Sequence, residues 1–343
     1  MDIFTNLSEQ TDYSMPKLQA IIAAWVASSA FERKGKVETG DGHVEEEDYT
    51  KQSVYSLLYA LYRQVGQVKS DLGIPYEFTF NTWGYDWPKA WGPPPSGPED
   101  PQRFGRNAYT GLYHFDAVKE AVKKKNGYVH VVEMGSGAGA GADHTCGYTL
   151  PLCTYEAVDM QYAGVMTCRK RFVPKYKGRL VATRADATNL PIADKVADFV
   201  AVNETHVTDQ GEVMTEEDRK FWRSAERILK PGGFVTWGNA IPDIAWQPSF
   251  DFMKSIGMEV IEVCDVNDEA VRARDLDAAR IDAYCEQALD KFPAFKIPVV
   301  GAKKRLEAGL AMKNLARQPG TRLYDDMATR RDTYKVALIQ KKG

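Results

Sequence analysis

The stretch from Val131 to Gly141 constrains this chain more than any other. Val131-Val132-Glu133-Met134 is a short apolar run closing on an acid and a methionine, and Gly135, Gly137, Gly139 and Gly141 come next on alternate positions. An apolar run with a β-branched bias reads as a buried parallel strand. Glycines directly after it let the backbone turn sharply and come close to a ligand, because no Cβ intervenes. Together they predict a nucleotide-type cradle at the C-terminal edge of an open α/β sheet. Any tight strand-to-helix turn favours glycine, so the weight of the motif comes from the ordered elements C-terminal to it.

A second strand, Tyr155 to Asp159, ends in an acid. Arg184-Ala185-Asp186-Ala187-Thr188-Asn189-Leu190-Pro191 then places an acid in a loop. The buried-type strand Ala197 to Asn203 runs into Glu204-Thr205-His206. A helix from Glu216 to Leu229 leads to the turn Lys230-Pro231-Gly232-Gly233 and the strand Phe234 to Trp237. This ordered series resembles the class I S-adenosylmethionine-dependent methyltransferases over roughly the C-terminal two thirds of the chain. A nicotinamide-binding Rossmann domain also has a glycine-rich first turn and an acid closing its second strand. Glu133, the Asp186 loop and the Leu-Lys-Pro-Gly-Gly turn favour the methyltransferase pattern. A binding-only relative of the fold is the third alternative.

At 343 residues the chain has material for one large α/β domain and an accessory region. A net charge of −3 gives no footing for nucleic acid, which calls for a basic surface. Five widely spaced cysteines without a CxxC pair argue against a disulfide framework or a zinc site and fit a reducing, cytoplasmic compartment. No metal-ligand spacing is visible, so no metal site of the catechol-methyltransferase type is expected. No apolar run is long enough to span a bilayer. Leu18 to Phe31 reads as a packed helix, because Asp2, Glu9 and Asp12 before it are wrong for a signal peptide.

The expected fold class is α/β: a Rossmann-like, seven-stranded, mostly parallel sheet with its last strand antiparallel and helices on both faces. Residues 1–105 read as a helical and aromatic N-terminal cap. In it, Glu45 to Leu72 carries Val54, Leu57, Leu58, Leu61 and Val65 on one helical face, and Gly73-Ile74-Pro75 ends it. Gly40-Asp41-Gly42 reads as a loop. The aromatic segment Phe78 to Trp91 runs into Pro93-Pro94-Pro95-Ser96-Gly97-Pro98, which excludes a regular helix or central strand. Residues 106–266 form the core, opening with a helix from Arg106 to Lys125 and closing with a sixth strand from Met258 to Val263. Residues 267–330 read as a helical lid on the acceptor side. Residues 331–343 hold the final strand, Tyr334 to Ile339.

Phe80-Asn81-Thr82-Trp83-Gly84-Tyr85, the proline insert, Asn107 to His114, Glu204-Thr205-His206 and Pro319 to Tyr324 together resemble a narrower group. That group is the phthiotriol and phenolphthiotriol dimycocerosate methyltransferases and related enzymes that methylate hydroxyls of lipids and polyketides. The resemblance implies a small hydrophobic acceptor, no nucleic-acid partner and no integral membrane association; a homodimer is compatible with it. Sterol and isoprenoid C-methyltransferases share a comparable layout and remain an alternative, as does a non-catalytic cofactor-binding partner protein.

For S-adenosyl-L-methionine the resemblance implies these cofactor-binding residues: Glu133 below the amine, with Gly135, Gly137 and Gly139 along the methionine and ribose. Asp159 would accept from both ribose hydroxyls, since an ionised carboxylate takes several donors. Met160 would pack on the adenine, Asp186 and Ala187 would meet its edge, and Asn203 would close the site. A hydroxyl acceptor must lose a proton, so a base is expected. His206, just past the fourth strand, is the candidate, with Glu204 orienting it or binding the acceptor. Trp83, Tyr85, Tyr113, His114 and Tyr324 are candidate acceptor contacts. His144, in the cofactor loop, is expected to be structural.

Overall fold

The computed structural model describes residues 37–38, 44–45, 59, 62–205, 214–291 and 300–343. The helix expected at Leu18 to Phe31 and the candidate base His206 lie outside the described residues.

Seven strands form one sheet: β1 His130–Met134, β2 Thr154–Asp159, β3 Leu180–Arg184, β4 Ala197–Asn203, β5 Leu229–Pro242, β6 Met258–Asp265 and β7 Asp332–Lys341. Their spatial order is β6-β7-β5-β4-β1-β2-β3. Pairings among β1 to β5 are parallel, and β7 runs antiparallel to both β5 and β6. The strand order reverses beside β1, which places the crevice at its C-terminal end. The expected fold class is therefore the one observed.

Alternation along the strands sorts the core into two layers, because successive side chains point to opposite faces. Val131, Phe199 and Leu338 pack with Tyr109 and Val118, which lie on helices α1 Arg103–Gly111 and α2 Asp116–Lys124. Their chain neighbours Val132, Val200 and Ile339 pack on the other face. There they meet Phe221, Trp222 and Ile228 of the helix Glu216–Ile228, and Trp246 and Met253 of the helix Asp243–Ser255. The parallel ladder jumps from Ala197↔Leu229 to Phe199↔Phe234, so the expected Lys230 to Gly233 turn bulges out of a longer strand.

Three expectations need correction. The helix expected at Arg106 to Lys125 is two helices broken at Leu112 to Phe115. Leu112, Tyr113 and Phe115 are all buried. Side chains 100° apart cannot share one helical face, so the break lets all three reach the core. The helix expected to reach Leu72 ends at Val65, where the periodic pattern itself stops. Gly66 has φ 64°, and an antiparallel pair, Gln67–Lys69 with Pro75–Glu77, comes directly after it. Val37–Glu38 pairs with Val44–Glu45, which puts Glu45 in a strand; the loop expected at Gly40-Asp41-Gly42 lies outside the described residues.

The chain divides into two compact units. One comprises residues 80–160, 165–274 and 325–343 and holds the sheet. The other comprises 1–79, 161–164 and 275–324. The excursion between β6 and β7 is helical as expected, at Asn267–Asp290, Val300–Leu315 and Arg322–Ala328. Within the second unit, Gln287 bonds both Lys69 N and Lys69 O, at 2.8 and 2.7 Å. Tyr62, Phe78 and Tyr284 pack together as tilted rings in the same unit. Arg280, buried against Asp277 at 2.6 Å, reaches the Tyr76 hydroxyl at 3.0 Å. Among the described residues no helix is long and apolar enough to cross a membrane.

The Glu216–Ile228 helix opens with a reciprocal cap: Thr215 Oγ1 accepts from Asp218 N, and the Asp218 carboxylate accepts from Thr215 N. Thr215→Ala is expected to lower stability by about 1 kcal/mol. Denaturant unfolding should show a shifted midpoint with an unchanged slope.

Candidate cofactor-binding site

The sheet's C-terminal edge gathers the glycine turn, Asp159 and Asn203. Gly135, Gly137 and Gly139 have φ of 85°, 55° and 85°. Three left-handed residues on alternate positions are a conformation glycine adopts without steric cost. Space adds a second constraint at two of them. A Cβ on Gly135 would meet the Thr205 side chain at 2.1 Å, and one on Gly139 would meet Cys168 Sγ at 2.3 Å. Gly135 N and Ser136 N both donate to Val158 O, at 2.8 and 2.9 Å. Gly137 N donates to Asp159 Oδ2 at 2.7 Å. The turn therefore lies directly against the end of β2. Thr205 Oγ1 donates to Gly135 O at 3.0 Å, which joins the end of β4 to the same turn.

Glu133 is fully buried beneath this turn. Its Oε2 accepts from the Tyr155 hydroxyl at 2.9 Å. Burial pushes its pKa up to about 7, opposed by the Tyr109 and Tyr155 hydroxyls. Asn203 is 4% exposed, and its amide and the Glu133 carboxylate both face the Tyr109 hydroxyl. Buried polar side chains grouped beside a cradle that only bare backbone can line fit a polar ligand with its own donors and acceptors.

The remaining candidates divide. Met160 is 37% exposed immediately after Asp159, a free apolar surface at the rim. Asp186 caps the 3-10 turn Ala187–Asn189, accepting from Thr188 N at 2.8 Å. Glu204, at φ 48°, is held at the end of β4 by its own N–H to Gly238 O at 2.8 Å. Its carboxylate accepts from Trp83 N at 2.8 Å, Gly84 N at 2.9 Å and the Tyr334 hydroxyl at 2.8 Å. Burial raises its pKa, and those three donors oppose the rise. Glu204 thus clasps the Trp83–Tyr85 segment to β7. Arg274 adds a bond to Trp83 O, and Asn107 Nδ2 reaches Tyr85 O at 3.0 Å.

Tyr85 is fully buried, edge-on to Trp91 and Tyr334. Tyr113 packs edge-on to Phe199 in the core. His114 stacks on Trp91, with ring centroids 3.6 Å apart. Tyr324 belongs to the other unit, where its hydroxyl donates to Asp275 at 2.8 Å. His144 is buried, with Nε2 2.8 Å from Thr110 Oγ1, and burial pushes its pKa down to about 4. Sequence reasoning missed Thr205, Tyr109, Tyr155 and Tyr334. Each acts through a contact with a residue distant in the chain, which no local pattern signals.

Residues 132–236 match the model of a methyltransferase domain family. The phthiotriol/phenolphthiotriol dimycocerosates methyltransferase of Mycobacterium tuberculosis is 26% identical over 227 residues, covering 63% of this chain and 76% of its own. A Mycobacterium ulcerans protein named "Probable phthiotriol/phenolphthiotriol dimycocerosates methyltransferase 2" is 26% identical over 208 residues, covering 60% of this chain and 72% of its own. Among solved structures, a [4+2]-cyclase superposes with TM-score 0.50 at 16% identity, over 85% of this chain and 96% of the cyclase. A candidate sarcosine dimethylglycine methyltransferase of Galdieria sulphuraria gives 0.50 at 12%, over 70% and 86%. These two share the fold.

The strand order, the left-handed glycine turn and the domain match mark residues 132–236 as a methyltransferase domain of the class I kind, which uses S-adenosylmethionine as methyl donor. Within that class the chain is similar to the phthiotriol/phenolphthiotriol dimycocerosates methyltransferases.

Proposed function

We propose that this chain transfers the methyl group to a hydroxyl of a small hydrophobic molecule such as a lipid or polyketide. The observation that carries the reading is the match to relatives named for phthiotriol and phenolphthiotriol, which spans most of both chains. The aromatic segment supports a hydroxyl over a carbon acceptor. A carbocation would need open ring faces, whereas Phe80, Tyr85 and Trp87 are buried and only Phe78, Trp83 and Trp91 of the segment are half-buried.

The donor supplies an activated methyl on a sulfonium, so the protein's work is orientation, water exclusion and removal of one proton. In this reading Gly135, Gly137 and Gly139 bring backbone against the donor, and Asp159 accepts from its ribose hydroxyls. Asn203 offers its amide to the ligand. Met160, Asp186 and Ala187 bound the adenine. His206 takes the acceptor's proton. Glu204 acts as a positioning residue, fixing the Trp83–Tyr85 segment and the chain that leads into His206. Residues 267–330 supply the acceptor-side lid.

Incubating the protein with labelled donor and a panel of lipid extracts and long-chain diols tests the reading. Mass spectrometry should place the new methyl on oxygen. A methyl found on carbon would replace it with the isoprenoid or sterol C-methyltransferase reading.

Glu133 gives this site a pH signature. Its pKa in the free protein is about 7. A cationic amine bound above it favours the ionised carboxylate, so donor binding should release a proton from Glu133 at acid pH. Affinity should therefore fall as pH drops below about 7, approaching tenfold per unit. In Glu133→Gln that dependence should disappear. Calorimetry from pH 5.5 to 8 reads both. A wild-type affinity that is flat over this range would remove Glu133 from the amine's side of the site.

A further inference from the structure

A second group of side chains stands apart from the donor site, toward the sheet's opposite edge. His114 lies in the break between α1 and α2, and Glu262 and Cys264 lie on the edge strand β6. Their ligand atoms all fall within 4.8 Å of one another. His114 Nε2 is 3.7 Å from Cys264 Sγ, and Cys264 Sγ is 3.7 Å from Glu262 Oε1.

Those separations have a direct meaning. A tetrahedral zinc ion takes bonds of about 2.0–2.1 Å to nitrogen, 2.3 Å to sulfur and 2.0–2.2 Å to oxygen, which sets sulfur about 3.5 Å from each of the others. The two separations from sulfur exceed that by about 0.2 Å, and the imidazole and carboxylate, within 4.8 Å of one another, close onto a shared ion by rotation of the exposed Glu262 side chain. The imidazole is also already oriented. His114 Nδ1 is 2.6 Å from Gly111 O, so Nδ1 carries the proton and Nε2 presents its lone pair to the group. A backbone carbonyl behind a histidine is the usual orienting partner in metal sites. The face of Trp91 at 3.6 Å fixes the ring's plane.

The strand is shaped to the same end. Residues two apart on a strand share a face, so Glu262 and Cys264 point together. The β6–β7 register shifts between Val260 and Glu262, which leaves Ile261 as the extra residue of a bulge. Bulges re-aim the side chains next to them. Lys119, a cation facing His114, is engaged by Asp116 at 2.9 Å. Glu262 is exposed, so the group opens to solvent.

We propose that His114, Glu262 and Cys264 form a three-ligand site for a divalent cation of the zinc class, with water completing the tetrahedron. The nitrogen-sulfur-oxygen donor set selects zinc-like ions over magnesium or calcium, which take oxygen. On binding, the Cys264 S–H bond breaks, the proton passes to solvent and the thiolate bonds the metal. The ion then ties the free edge of β6 to the break that carries Tyr113 and His114.

The test uses the full chain, stripped by chelator and titrated with Zn2+, then with Co2+ to read the thiolate-to-metal charge-transfer band. One equivalent should bind, with that band present. Cys264→Ser and Glu262→Gln should each weaken binding by at least about tenfold, the lower bound for losing even a supporting partner of a metal ligand. Cys264→Ser should also abolish the band, while Cys285→Ser should retain both binding and band. Zn2+ should raise the melting temperature of the wild type and leave that of Cys264→Ser unmoved. Metal-free melting temperatures establish that each variant is folded; should Cys264→Ser fail to fold, the exposed Glu262→Gln decides. Absence of saturable binding by the wild type, or affinity unchanged in Glu262→Gln, overturns the proposal.

Discussion

His206→Ala is expected to lower turnover by about 10²–10⁴-fold, the range for losing a general base. His206 carries the proposed role of base, and the residues before it are held in place. Asn203 closes β4, Glu204 N is bonded to Gly238 O, and Thr205 Oγ1 is bonded to Gly135 O on the cofactor cradle. His206 is the next residue in the chain after Thr205. An imidazole ordinarily titrates near about 6.5 and can accept a hydroxyl proton at neutral pH. The wild-type rate should fall as pH drops through that range, and this limb should vanish in the variant. Donor affinity should hardly change, because the imidazole serves the acceptor side. Near-normal turnover in His206→Ala would move the proton's destination elsewhere and favour the carbon-acceptor chemistry.

Asp159→Ala should weaken S-adenosylmethionine binding by at least about tenfold, from a loss of about 1.5–3 kcal/mol for hydrogen bonds to a charged acceptor. Asp159 is buried at the end of β2, and its Oδ2 accepts from Gly137 N at 2.7 Å. A carboxylate has about four lone-pair sites, so one side chain can hold the turn and accept from ribose hydroxyls. The alanine variant would lose the proposed ribose contact and also the strut that holds the glycine turn against β2. Asp159→Asn keeps an acceptor and the side chain's volume, so it should fall between wild type and alanine. Calorimetry supplies the affinities and circular dichroism the fold check. Wild-type affinity in Asp159→Ala would falsify its place beside the ribose.

Much of the fold was legible because its signals are local. The strand Ala197 to Asn203 is an uninterrupted buried run, and it forms with those ends. Glycines at 135, 137 and 139 announce left-handed backbone, and all three adopt it. Expectations failed where burial overrode the local pattern. Arg106 to Lys125 carries no proline to announce a break, yet Leu112, Tyr113 and Phe115 reach the core only if the helix breaks. Beyond Val65 the expected helix had no periodic face to bury, and a positive-φ glycine turned the chain into a hairpin.

The candidate site divides the same way. Its glycines, Glu133, Asp159 and Asn203 sit at strand ends, and strand ends can be read from periodicity and turn chemistry. The carboxylate of Glu204 could not be assigned that way. Its partners Trp83, Gly84 and Tyr334 lie 120 or more positions away in the chain.

The amino-acid sequence by itself determined the parallel strands, the cofactor turn and the class of chemistry, because each is written in residues within a few positions of one another. Only the tertiary structure decided that Glu204 clasps an aromatic segment, that Glu133 is buried between two tyrosines, and that His114 meets Glu262 and Cys264. The Glu204 and His114 pairings arise when β6 and β7 fold back beside β5, the Glu133 pairing when β2 and α1 pack beside β1, and contacts made across a sheet leave no spacing in the chain.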